Sequence, residues 1–538
     1  MNSLRVISLL LATLVSNSAS TMAQDRLNQH PVQLDTEGKL VSWVQPQEEA
    51  YDRVVRGAWD FLINRVPVED NGLKAYYISC CLGEDFGKIR QWPHNPAGMF
   101  AMLIDSAVAS YAYSGDHGPV DLARSVADYQ LAHGTTPPGW LWARVPYASS
   151  NAGAVDYRGS DGFLYSEKPN TGDGYGVIEP DKVGELGYGY LQLFELTGNQ
   201  VYLESAIACA DALAKNLRAG DAEHSPWPFR VNAETGVINE EYSANVIGPV
   251  KLFAELIRLN RGNVTAYQRA RSAAWDWLMK YPMQNHGWSG YFEDVYRFNK
   301  PVNYNQYSPM ETARYVMQHP EVDPEWRKHV PELINWVEKT FIFVDVKNEP
   351  GVQWGANAVS EQIADMNKIG SHTSRYASIN AQLYELTGDA AAKEKAFRSF
   401  NWATYMCAEN GWVKVGPIDQ SLWFSDGYGD YIRHFLAGMA SVPEWAPAGQ
   451  SHVLRSSSVI TNVKYESQEL SYVAFDADGS EVLKVNFTPK GVLADGKAMS
   501  ARNELTQSGW RFDPASGVLR VWRSGARTIR ITESAVHN

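Results

Sequence analysis

The sequence predicts a mainly α protein: a solenoid or closed toroid of about six helical hairpins, followed by a small antiparallel β-sandwich. Three observations carry this. First, LFELTGNQVYLESAIACADAL (193–213) parallels LYELTGDAAAKEKAFRSFNWA (383–403), and 110–130 and 256–278 are looser copies. Each is the end of one helix, a Gly-containing turn and an Ala-rich helix. Second, connection lengths alternate. Those near 115–118, 198–199, 261–263, 319–322 and 388–389 are short, and those at 66–96, 134–179, 219–241, 282–307, 342–370 and 410–427 are long. Third, the chain changes character after the Pro-rich run Val442 to Pro447.

Taken in order, residues 1–23 read as a secretory signal peptide. Arg5 is the basic start, Val6 to Val15 the apolar stretch, and Thr21-Met22-Ala23 a small-residue cleavage site before Gln24. No later run approaches the roughly 18 apolar residues of a membrane span. The expectation is an exported protein, periplasmic or secreted, without membrane insertion. Residues 24–441 read as the toroid. Its helices are expected near 48–65, 97–114, 119–133, 180–197, 200–218, 242–260, 264–281, 308–318, 323–341, 371–387, 390–409 and 428–440. A linker is expected at 442–449 and the β-sandwich at 450–538. There Glu481 to Phe487, Gly517 to Trp522 and the alternating Thr528 to Ile531 read as strands.

A formal net charge of −13 excludes a basic footprint for nucleic acid. The 18 Trp, 28 Tyr and 18 Phe exceed what loop packing needs, and their faces suit the apolar C–H faces of sugar rings. The four cysteines have no metal-ligand spacing and no dense disulfide framework, so buried free thiols are expected, with room for one disulfide and need of none. There is no His-Glu-x-x-His, P-loop, Gly-x-Ser-x-Gly or EF-hand spacing, so no metal or cofactor is expected. Nothing in the sequence addresses the oligomeric state.

Because hairpins alternate direction, the long loops fall on one face. Each runs into the N-terminus of an even-numbered helix, where N–H groups and helix dipoles favour anions. This pattern, with its LTG(N/D) turns, resembles the (α/α)6 toroid of carbohydrate-active enzymes over about residues 48–440. That group includes unsaturated glucuronyl hydrolases, other glycoside hydrolases, sugar epimerases and polysaccharide lyases. The resemblance implies an enzyme acting on a glycan substrate.

Glycoside hydrolysis needs two carboxyl groups, one protonated and one ionised. The catalytic candidates are Asp173, Glu240, Glu241, Asp426 and Asp430, with Glu179 and Asp181 beside them. Capping and dipole effects alone also favour acids at helix N-termini. The substrate-binding candidates are Trp92, His94, Tyr175, Glu179, Tyr242, Tyr304, Tyr307, Trp354, His372, Arg375, Tyr376 and Tyr428. Arg375 suits a bidentate grip on a uronate; its structural alternative is a pair with Glu361 or Asp365. The leading expectation is an exported glycoside hydrolase acting on a uronic-acid-containing poly- or oligosaccharide. A polysaccharide lyase using Tyr304, Tyr307, His372, Arg375 and Tyr376 is the alternative enzyme, and a non-catalytic glycan-binding protein the alternative class.

Overall fold

The computed structural model describes residues 30–82, 93–161, 173–290, 303–343, 353–363, 365–417 and 423–533. The signal-peptide residues lie outside these. Twelve principal helices among the described residues follow the expected order. They are α1 Ala50–Asp60, α2 Pro96–Ser114, α3 Gly118–His133, α4 Pro180–Thr197, α5 Gln200–Lys215 and α6 Ile247–Arg258. Then come α7 Val264–Lys280, α8 Tyr307–Gln318, α9 Trp326–Val337, α10 Gly370–Thr387, α11 Ala390–Thr404 and α12 Ser425–Ser441. The expected 242–260 helix is shorter, because Tyr242 to Val246 belong to the incoming loop.

The LTG(N/D) turns explain the hairpins. Gly198 and Gly388 take left-handed backbone (φ 74° and 77°), which ends α4 and α10 at no steric cost. The next residue then caps the following helix: Asn199 accepts from the Val201 N–H and Asp389 from the Ala391 N–H.

The even-numbered helices form an inner ring. α2 packs on α4, α4 on α6, α6 on α8, α8 on α10, α10 on α12, and α12 returns to α2. The odd-numbered helices pack outside. The architecture is therefore an (α/α)6 toroid, and the long loops gather at the N-terminal rim of the inner helices as expected. Two close approaches hold the ring. A Cβ on Gly184 of α4 would lie 2.3 Å from the Pro249 nitrogen of α6, and one on Gly429 of α12 would lie 2.6 Å from the Leu103 nitrogen of α2.

Past α12 the Pro-rich segment is not a loose tether. Trp445 is buried against Tyr51, Phe397 and Phe400. The strands β1 His452–Ser456, β2 Ile460–Glu466, β3 Glu469–Ala474, β4 Gly479–Lys484, β5 Gly491–Ala494, β6 Lys497–Ala498, β7 Gly509–Asp513, β8 Val518–Arg523 and β9 Thr528–Thr532 follow. They form two antiparallel sheets, ordered β1-β4-β8-β7 and β2-β3-β9-β5-β6. Leu483, Leu519, Ile529 and Ile531 lie in the core between them. Leu454, Val482 and Val518 instead join the toroid core, so the first sheet sits on the short-turn end of the ring.

The ring contacts generate a stability test. Gly184→Ala and Gly429→Ala should each destabilise the fold by about 1–3 kcal/mol through overpacking against backbone. Gly449→Ala, where nothing lies within 4 Å of the new Cβ, should leave the melting temperature unchanged. Equal melting temperatures for all three variants would contradict this account of ring closure.

Candidate active site

At the rim, two long loops that the sequence reads as structureless carry a small sheet. Val177–Ile178 pairs antiparallel with Arg230–Asn232, which pairs with Ile238–Glu240. Arg230 stands directly opposite Glu240, and directly opposed residues share a face. Arg230 is 1% exposed. Its Nε lies 2.7 Å from Asp173 and 2.9 Å from Glu179, and its Nη1 lies 3.4 Å from Glu240. The ring of Phe229 lies 4.6 Å from the guanidinium carbon. Ser149 donates its hydroxyl to the other Asp173 oxygen. All three carboxylates are buried, yet Tyr175 beside them is 63% exposed. Glu179 occupies the N-cap position of α4 without capping it; its carboxylate goes to Arg230 instead.

A second cluster occupies the axis of the ring. Asp430, Arg433 and His434 share one face of α12 at i, i+3 and i+4 spacing. Asp430 accepts from Arg375 of α10, from Arg433 (2.6 Å) and from His434 Nε2 (2.9 Å). Glu311 of α8 lies 3.4 Å from Arg375, 3.5 Å from Arg314 and 3.6 Å from Arg433. Gln306 accepts from Arg375 Nη1 (3.1 Å), and its amide nitrogen lies 2.6 Å from His372 Nδ1. Burial raises both carboxyl pKa values, but the surrounding cations outweigh it. Asp430 is held well below the usual carboxylate range by Arg375 and Arg433, with a hydrogen bond from His434, and Glu311 is held at about 2 by Arg433, Arg314 and Arg375. These two groups stay ionised.

Between the clusters, Asp181 and Glu185 project from the first turns of α4. Asn245 Nδ2 donates to both, at 3.0 and 2.8 Å, and Lys182 Nζ lies 3.3 Å from Glu185. Lys182 lies over the Tyr307 ring (5.4 Å), whose other neighbour is Arg375 (4.5 Å). A cavity of about 30 Å³ beside Glu185, Asn245 and Tyr307 has room for one or two waters.

The sequence-derived site residues divide accordingly. Asp173, Glu179 and Glu240 come together on Arg230. Glu241 is a correction: it lies just past the strand, is exposed and pairs with Arg218 at 2.5 Å. Asp430 is a second correction, because a permanently ionised, buried counter-ion does not relay protons. Arg375 is a third: it is 1% exposed and held by Asp430 and Glu311, and the side chain of Asp365 lies outside the described residues. His94 is fully buried, edge-on to Phe100 and Tyr157, and its backbone bonds Ser150 in both directions. Tyr376 donates its hydroxyl to Glu338 (2.5 Å), away from His372. Tyr428 accepts from the Val413 N–H and stacks on Phe61. Tyr242 donates to Gly287 O, Tyr304 packs on Trp336, and Trp354 packs on Trp402 and Tyr405. The Tyr/His elimination set is therefore scattered, with only Tyr307, His372 and Arg375 adjacent. Trp92 and the side chain of Asp426 lie outside the described residues. Arg230 was missed by sequence reasoning. Its only trace there was the need of several rim acids for a counter-charge.

These buried groups set an acid limit. Burial lowers His94, His372 and His434 to about 3 from 6.5. Between those values the unfolded chain binds more protons than the folded one, so stability must fall as pH drops below 6.5. Below the ordinary carboxylate range, loss of the Glu311 and Asp430 charges adds to the fall. The urea midpoint should decline steadily from neutral pH to about pH 4. A flat midpoint over that interval would contradict the buried neutral state of these histidines.

No family model matches the chain, and no curated protein matches it in sequence. Solved structures do match in fold. Cellobiose 2-epimerase from Bacillus thermoamylovorans aligns with TM-score 0.52 and 10% identity, over 72% of this chain and 98% of that one. A D-mannose isomerase aligns with TM-score 0.50 and 10% identity, over 72% and 97%. An unsaturated glucuronyl hydrolase specific for heparin aligns with TM-score 0.46 and 10% identity, over 74% and 99%. The likeness to the epimerase and the isomerase is one of fold, the (α/α)6 toroid.

Proposed function

We propose that this chain is an exported glycoside hydrolase whose acid/base carboxylates sit in the Arg230 cluster. The observation that carries the reading is the convergence of Asp173 and Glu179 from one segment and Glu240 from another on one buried guanidinium at the long-loop rim. Hydrolysis of a glycosidic bond needs a pair of carboxyl groups flanking that bond, and this cluster supplies candidates for the pair. The fold is shared with enzymes whose names specify sugars, cellobiose and mannose. The basic, apolar and small-residue segments from Arg5 to Ala23 support export.

Roles follow from the geometry. Glu240 makes the longest of the three contacts to Arg230, at 3.4 Å. It acts as general acid, protonating the glycosidic oxygen as the C1–O bond breaks. Asp173, 2.7 Å from Arg230 and fixed by Ser149, acts as the ionised partner at the sugar carbon or on its attacking water. Arg230 is a positioning residue. The exposed ring of Tyr175 supplies a stacking face for the sugar. The uronic-acid preference rested on Arg375, which is occupied by carboxylates, so the substrate panel must include neutral glycans as well as uronates.

The test follows reducing ends and the ultraviolet absorbance of unsaturated product across that panel. The expected outcome is new reducing ends without unsaturation. Glu240→Gln and Asp173→Asn should each lose about 10²–10⁴-fold in kcat/KM while staying folded. Glu241→Gln should remain active. Unsaturated product would replace hydrolysis by elimination, and full activity in both cluster variants would reject the assignment of the acids.

A further inference from the structure

A large cavity lies at the other end of the ring. A chamber of about 1020 Å³ is lined by all six inner helices, mostly from their C-terminal halves, and by strands β1, β4 and β8. Its volume is at the upper end of the range for ligand sites, about 300–1,000 Å³. The rim chemistry makes no use of it.

The charges on its wall are unevenly satisfied. Each acid has a partner. Glu195 and Glu255 hold Arg258, Glu385 holds Arg455 through two bonds of 2.7 and 2.6 Å, and Glu481 holds Arg523. Asp105 and Glu311 reach Arg433, and Glu321 reaches His319. Three cations lack a close ion-pair partner among the described residues, although Lys251 acts electrostatically on Asp105. Arg520 comes no nearer than 3.9 Å to Glu385, which Arg455 already occupies. Neither Arg271 nor Lys251 forms an ion pair among the described residues; Lys251 lies over the Tyr188 ring at 4.4 Å. None of the three sits in the last turn of a helix, so helix-dipole compensation does not account for them. Arg271 lies mid-way along α7, Lys251 is in the first half of α6, and Arg520 is on β8.

Each spare cation is accompanied by an aromatic ring on the same wall. Lys251 has Tyr188, and Arg271 acts electrostatically on Tyr315. Arg520 and Trp522 alternate onto one face of β8, roughly 6.6 Å apart along the strand. The Trp522 ring is 39% exposed and the Arg520 side chain 43% exposed, so both are open to ligand. A ring face beside a hydrogen-bond donor cation is complementary to a sugar ring carrying an anionic substituent: the C–H face stacks, and the guanidinium or ammonium takes the charge. We propose that this chamber is a second, non-catalytic glycan site for anionic oligosaccharides, with Arg520, Arg271 and Lys251 reading carboxylate or sulfate groups. The proposal goes beyond the rim reading and does not depend on it.

Calorimetric titration of the full chain tests this with three probes: oligogalacturonate, sulfated galactan oligomers and cello-oligosaccharides of matched length. One or both anionic probes should bind, and which of them binds separates carboxylate from sulfate recognition. Affinity should fall as salt rises. Arg520→Gln and Arg271→Gln should each weaken binding roughly tenfold or more, the worth of one charge-assisted hydrogen bond. Arg271 has no ion-pair or hydrogen-bond partner among the described residues, so its variant is expected to keep the wild-type melting temperature. Asp173→Asn protein should bind as wild type, which separates the chamber from the rim whatever reaction the rim performs. Failure of both anionic probes to bind, unchanged affinity in both arginine variants, or equally tight cello-oligosaccharide binding would overturn the proposal.

Discussion

The buried charge cluster on the ring axis is the constraint on which the structure turns. Three guanidiniums from three helices, Arg375, Arg314 and Arg433, are matched there by Glu311 and Asp430. A buried ion pair gives little net stability over an apolar core, but removing one partner leaves an uncompensated charge costing about 3–5 kcal/mol. The inner helices must therefore arrive at one register and one rotation for every charge to be met. Apolar packing alone would tolerate more slippage. Several polar residues at the N-terminal ends of α8, α10 and α12 are consumed in this way, which is why they serve architecture rather than chemistry.

The proposed chemistry lies at the periphery instead. Arg230 and Glu240 stand on a three-stranded sheet inserted into two of the long connections, while Asp173 and Glu179 flank its first strand, Glu179 at the N-cap of α4. At the opposite end, the β-sandwich does more than prop up the ring. Its first sheet turns Leu454, Val482 and Val518 into the toroid core, yet presents Arg520 and Trp522 to an open chamber. One sheet face therefore supplies both adhesion and a polar wall.

Much of the fold was legible in the sequence because its signals are local. The turn glycines at 198 and 388, the caps at Asn199 and Asp389, and the alternation of short and long connections follow from backbone geometry that neighbouring residues dictate. Those signals fix the hairpins, their order and the face that carries the long loops. They also bring Asp173, Glu179 and Glu240 to that face as candidates. The strands within the long loops were not legible, since two- and three-residue segments carry no measurable periodicity.

The sequence by itself determined the helical hairpins, the β-rich C-terminus and the inventory of rim acids and aromatics. Tertiary structure alone decided which acid meets which cation. Asp430 and Asp173 are alike as residues at the rim. One is locked in its charged form by Arg375 and Arg433, and the other joins two more acids on Arg230. Glu240 and Glu241 are adjacent in the chain, yet one is buried beside Arg230 and the other is exposed beside Arg218. Charge state and access depend on Coulomb interactions and desolvation over a few ångströms of space, and those neighbours come from segments up to hundreds of residues apart.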